Sequence, residues 1–275
     1  MTSSVWMGLL ALAILWLNTV LVALDAVERR RWLGRNRWLP SWTKPRAGDG
    51  FVRVQVIAGE GAEGTFAQHS VDQRGRRIDS RAPCVAFHDQ GHESEVCGGR
   101  VRADSLTVDV PAAERSEVWP DAASLRARAD APLEPEPWAR AEKGKGYARQ
   151  LRTLIKAGDS VWLGGHWMEA DGGWMVAPPP GRPLLVSQTD PVAWIARARA
   201  ELALFSAAVI AAAAGVTALA LTPPVFGPVS TVGGAVGLVF FLLVQPAGTW
   251  MRGRTIEPAY AEVRGLAGPS RSSPR

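Results

Sequence analysis

The chain is 275 residues long and 47% hydrophobic, with a mean hydropathy near zero, a net charge of +5 and a pI of about 9.7. Seven Arg or Lys and one acid lie between Glu28 and Arg46, a local net of +6, so the rest of the chain nets −1. Basicity this local argues against a nucleic-acid partner, and the hydropathy average conceals apolar runs long enough to exclude a wholly soluble chain.

After a short tail, 1–4, the run Val5 to Leu24 carries no charge, and Asn18 is its most polar member. At about 1.5 Å per residue, roughly 20 apolar residues cross a hydrocarbon core of about 30 Å. No positive charge precedes the run, and "DAVERRRWLGRNRW" follows it, the arrangement of a signal anchor with its N-terminus outside rather than of a cleaved leader. The juxtamembrane segment 25–46 sets Arg29, Arg30, Arg31, Arg35 and Arg37 among Trp32, Trp38 and Trp42. Such a segment suits anionic lipid headgroups, at about 1 kcal/mol per basic residue near the surface, with Trp at the interface. The plainer alternative is a topology determinant that binds nothing specifically.

Residues 47–190 suffice for one small domain. "FVRVQVIA" (51–58), "PCVAFH" (83–88) and "SLTVDV" (105–110) alternate with the period of half-buried strands. Residues 111–137 are rich in Pro, Ala and charge and predict a surface excursion, partly helical over 121–129. "YARQLRTLIKAGD" (147–159) spaces Leu151, Leu154 and Ile155 as a helix does, with Lys156 in the last turn and Gly158 as the stop. Short strands follow in "SVWLGGHW", "WMVAP" and "PLLVSQ", with a hairpin turn expected at Asp171-Gly172-Gly173. Asp190 stands where an N-cap belongs and Pro191 at the first helical position. The connecting helix 191–201 then meets no breaker before the second span, 202–221.

The third span, 229–248, is rich in Gly and interrupted near its end by Pro246, and its Gly233 and Gly237 permit close packing on the Ala-rich second span. The tail 249–275 is expected to be disordered. Arg197 and Arg199 precede span two, Arg252 and Arg254 follow span three, and the loop between them is uncharged. The positive-inside rule then places the N-terminus outside and both the middle domain and the C-terminus in the cytoplasm of a plasma-membrane protein. The fold class expected is a membrane protein of three transmembrane helices, with a small β-rich (α+β, barrel-like) soluble domain between the first and second.

The series "APCV", "LTVDVP", "AGDSVWLGG", a "DGG" turn and "RPLLVSQTDPVAW" leading into a membrane helix resembles, in order and spacing, the GIDE or beside-a-membrane (BAM) domain family over roughly 51–215. The family is that of the MULAN-type membrane E3 ubiquitin ligases, with prokaryotic relatives. The resemblance implies a small β-rich domain held between membrane helices. It also implies ubiquitin transfer by a C-terminal RING finger, which needs eight Cys or His ligands around two zinc ions. This chain has two Cys and four His, none beyond His166, so that machinery is missing. The abundance of Ala, Arg, Gly and Trp suggests a bacterial source.

Cys84, His88, His92 and Cys97 fall within one stretch. Two thiolates and two imidazoles are a permitted zinc set. On a straight strand, however, 84 and 88 lie about 13 Å apart, and a turn at Gly91 would be required. A reducing cytoplasm disfavours a Cys84–Cys97 disulfide. The third reading, a packed thiol at Cys84 and solvated loop histidines, fits the resemblance best and is preferred. His69 and His166 look isolated. No nucleophile elbow or phosphate loop occurs, "GEGAEG" (59–64) reads as a turn, and no cofactor is called for. Few polar groups at membrane depth argue against a carrier. The functional expectation is a membrane scaffold or sensor for protein or lipid contact, with an unidentified protein partner and a possible homo-oligomer through its membrane helices. The alternative is an E3-like component acting in trans.

Overall fold

The computed structural model describes residues 3–36, 39–77, 85–129, 147–170, 173–224, 227–263 and 265–267. They form two units, one from 1–38 with 193–256, the other from 39–192 with 257–275.

The first unit is a helical bundle. Helix α1 runs Ser3–Asn36, α3 Pro191–Ala220 and α4 Pro228–Arg254 (the short α2, Ala122–Ala129, belongs to the second unit), and all three are long and apolar enough to cross a membrane. Asn18 bonds Gln245, Asp25 pairs with Arg252 at 2.6 Å, and Arg29 Nη2 donates to the Thr255 carbonyl at 3.0 Å. Numbers therefore rise together along α1 and α4, which run parallel. Trp16 Nε1 donates to Thr217 Oγ1 at 3.0 Å, while Gly34 lies beside Arg199, so α3 runs the other way. Every basic cluster within the bundle thus falls at one end of it. Leu10, Leu17 and Leu242 each expose more than half of their surface, as suits helices bathed in hydrocarbon. A Cβ on Gly233 would come within 2.5 Å of the Ala220 nitrogen, so the missing side chain is what lets α4 touch α3. Pro246 forgoes one main-chain bond, yet the helix continues to Arg254.

The second unit is built on a barrel. Strand β1 covers Ser41–Trp42, β2 Gly48–Gly59, β3 Thr65–Arg77, β4 Val85–Val96, β5 Gly99–Ala103, β6 Leu106–Val110 and β7 Ser116–Trp119. Helix α2 covers Ala122–Ala129. There follow β8 Tyr147–Lys156, β9 Ser160–Ala170, β10 Gly173–Ala177, β11 Leu184–Ser187 and β12 Gly265–Ala267. The order β2-β5-β6-β10-β9 closes on itself through β2–β9, with β6 and β10 parallel and the other neighbours antiparallel. Numbered by chain order these five run 1-2-3-5-4-1, the Greek-key order of an OB-type barrel. Val52, Val54 and Val56 alternate inward against Val101, Val108, Val161, Leu163 and Trp167. Gly164 is a close approach: a Cβ there would strike the Phe51 ring at 2.2 Å.

The second sheet, β12-β4-β3-β8, departs most from the sequence reading. Residues 147–156 form a strand, not a helix, paired with β3 from Tyr147 to Lys156. Leu151, Thr153 and Ile155 are buried in alternation, so a period of two overrides the helical spacing of Leu154, while Gly158 at φ +95° serves a strand-to-strand turn. The region from 249 onward is not a disordered tail over its described part. Residues 249–254 finish α4, Pro258–Tyr260 make a 3₁₀ turn, and β12 joins β4, because Val263 has an apolar cluster to enter. The excursion at 111–137 holds β7 as well as the expected helix, α2. Strands β9 and β10 pair from Ala170 and Gly173, and Asp171 and Gly172 between them lie outside the described residues.

Candidate functional site

The inward face of the second sheet is polar where a sheet normally buries apolar side chains. His69 lies opposite Ser94 on one side and Thr153 on the other, Val71 opposite His92 and Leu151, and Gln73 opposite Asp89 and Arg149. A bulge produces this arrangement. Asp72 faces Gly91 and Gln73 faces Asp89, so Gln90 is the extra residue and side-chain parity reverses across it. Asp89 and His92 therefore share a face although three residues apart, and His88 is turned outward and exposed.

A chain of hydrogen bonds runs along the face. The Arg149 guanidinium sits 3.6 Å over the Phe87 ring, donates from Nη2 to the Ala129 carbonyl at 2.8 Å and from Nε to Gln73 Oε1 at 2.8 Å. Gln73 Nε2 donates to Asp89 Oδ1 at 2.7 Å. Asp89 Oδ2 lies 3.4 Å from His92 Nε2 and accepts the Val263 N–H at 2.7 Å. His69 Nδ1 lies 3.1 Å from Ser94 Oγ, and the His69 and His92 rings are 5.7 Å apart. Tyr260 stands edge-on to His92 at 6.2 Å. Val71, Leu125, Ala129, Leu151 and Val263 close an apolar cluster beside the polar row.

Among the described residues, three polar atoms in this interior have no hydrogen-bond partner: His69 Nε2, His92 Nδ1 and Thr153 Oγ1. His69 is fully buried, and its pKa is lowered to about 4, first by that burial and second by the neighbouring His92, with Asp89 pulling weakly the other way. Burial would raise the Asp89 pKa, but hydrogen bonds from His92, Gln73 and the Val263 N–H outweigh it and hold the carboxyl below its ordinary value.

Of the possible zinc set, the three residues that the structure describes, His88, His92 and Cys97, are not brought together. Cys84 lies outside the described residues, His88 and His92 point to opposite faces, and Cys97 sits against Gly61 with its thiol pKa raised by burial and by Glu95. Among the described residues no three His, Cys, Asp or Glu side chains form a metal-holding group. The histidines are not in a loop either: both lie on β4, and His92 is mostly buried. The two histidines that look isolated in sequence have partners. His69 enters the polar row just described, and His166 Nδ1 meets Asp49 Oδ1 at 2.7 Å on the barrel. Register reveals both, since each partner is distant in sequence.

At the basic end of the bundle, Arg30, Arg31 and Trp32 are exposed, and Arg29 is half-buried on the Thr255 carbonyl. Arg35 lies in α1, while Arg37 and Trp38 are outside the described residues. Trp42 departs from the expected interface row. It packs on the barrel core, over Gly50, where a Cβ would meet its ring at 2.7 Å. Asp190 caps α3 by accepting the Val192 N–H at 2.9 Å, with Pro191 at the first helical position. Comparison with protein families, curated proteins and solved structures finds no match to this chain.

Proposed function

We propose that this multi-pass membrane protein is a scaffold or sensor of the beside-a-membrane type, using its β-rich domain for protein contact and its basic helix ends for contact with anionic lipid. The observation that carries the reading is the division of labour between the two units. Three helices supply a membrane bundle, and a separately cored barrel with an appended sheet supplies surface for recognition. Arg30, Arg31 and Trp32, exposed at the basic end, suit headgroup contact. The E3-like alternative finds less support, because eight zinc ligands cannot be drawn from two Cys and four His.

The reading places the domain in the cytoplasm of a cell whose plasma membrane holds the bundle. A membrane-impermeant maleimide tests it through Cys84 and Cys97. Denatured protein should label only when cells are opened before exposure to reagent. Labelling of intact cells would reverse the orientation and remove the cytoplasmic scaffold.

A further inference from the structure

The C-terminal segment meets the second sheet chiefly through its main chain. Asp89 Oδ2 accepts the Val263 N–H at 2.7 Å, and Gln73 Nε2 donates to the carbonyl of the same residue at 2.5 Å. Both backbone groups of one residue are thus held by two side chains. Gln73 is itself fixed, being 2% exposed with Oε1 bound by Arg149. Ahead of this clamp, Ala259 is buried and Tyr260 stands against His92. Beyond it the main chain joins β4 antiparallel, Gly265 opposite Phe87, Leu266 opposite Ala86 and Ala267 opposite Val85. Strand addition at a sheet edge, with main-chain hydrogen bonds giving affinity and side-chain pockets giving specificity, is how extended peptides bind sheets. The added strand is three residues long and, among the described residues, pairs with β4 alone, so little main-chain bonding opposes its exchange.

We infer that the outer edge of β4 and the Asp89–Gln73 clamp form a docking site for an extended peptide, and that residues 257–267 of a second copy of this chain exchange into it, linking two copies. The clamp reads N–H and C=O, while Ala259, Tyr260 and Val263 fill positions shaped for them. The segment whose fit to both is observed is the chain's own. Two copies held in one membrane meet at high effective concentration, and exchange of identical segments forms dimers without new contacts. The inference goes beyond the function proposed above and holds whichever side of the membrane the domain faces.

The test uses the full chain in its membrane, with Cys84→Ser and Cys97→Ser removing the native thiols. Antiparallel partners such as Ala86 and Leu266 have Cα atoms about 4.5–5.5 Å apart, within disulfide range. A chain carrying both A86C and L266C should cross-link under mild oxidation, as a monomer where the segment lies on its own chain and as a linked dimer where it has exchanged. Co-expressed chains carrying A86C and L266C separately should give a disulfide-linked dimer. Placing Val263→Pro on the L266C copy removes the N–H that Asp89 binds, leaves the accepting copy intact, and should lower the dimer yield at least several-fold. Closure of the single chain without any mixed dimer would overturn exchange. A dimer indifferent to Val263→Pro would mark chance collision and overturn it too. Failure of both cross-links would remove the segment from β4 and the site with it.

Discussion

At the scale of single residues, the polar row commits the second sheet to near-neutral pH. His69 stays neutral in the fold down to about pH 4, whereas a solvated imidazole takes up a proton near 6.5. Between those values the unfolded chain binds more protons than the folded one, so stability is complete above pH 6.5 and declines as pH falls toward 4. At ~1.4 kcal/mol per unit the loss reaches about 3 kcal/mol. The groups facing His69 are His92, Asp89 and Ser94 from β4 and Thr153 from β8. Asp89, with its lowered pKa, adds stability that is lost only at still lower pH, as the carboxyl protonates. Urea unfolding followed by tryptophan fluorescence should therefore show a fall in stability between pH 6.5 and 4, and His69→Gln should flatten it. A wild-type slope unchanged by that substitution would assign the acid response to other groups.

At the scale of elements, alternation decides what sequence can show. Strand β2 is legible because Val52, Val54 and Val56 present apolar side chains at three successive inward positions. Strand β3 is not, since its inward positions include His69 and Gln73, which break the apolar period. Strand β8 has the sequence spacing of a helix because inward Thr153 is polar and outward Leu154 is apolar, which disguises a period of two as one near 3.6. The cap at Asp190 was legible, being local. The polar site was not: Gln73 lies 16 residues from Asp89, 76 from Arg149 and 190 from Val263. The glycines of α4 give a sharper check on packing. Gly233 has the backbone of α3 where its Cβ would stand, and Gly234 has open space. Gly233→Val should destabilise the bundle by about 1–3 kcal/mol through overpacking, while Gly234→Val should be nearly neutral. Detergent-induced unfolding of the bundle measures both, and equal losses would mean that close approach to α3 is not what Gly233 provides.

At the scale of the whole molecule, the β unit is not one stretch of chain. It takes residues 39–192 from before the helical hairpin and its C-terminal segment from after it. The segment contributes Val263 to the apolar cluster, main-chain partners to Asp89 and Gln73, and a strand to β4. Leaving Asp89 and Gln73 buried without those partners costs about 1–3 kcal/mol per group by the penalty for unmade bonds. A fragment of residues 39–192 should therefore keep the barrel, whose core lies wholly within it, and loosen at the second sheet. Hydrogen exchange should show β2 and β9 protected and β3, β4 and β8 less so. Adding a synthetic peptide of residues 257–267 should restore protection to the second sheet, and the same peptide with Pro at 263 should not. If the fragment protects both sheets equally without peptide, the C-terminal segment covers the polar row without supporting it, and solvent satisfies Asp89 and Gln73 in its place.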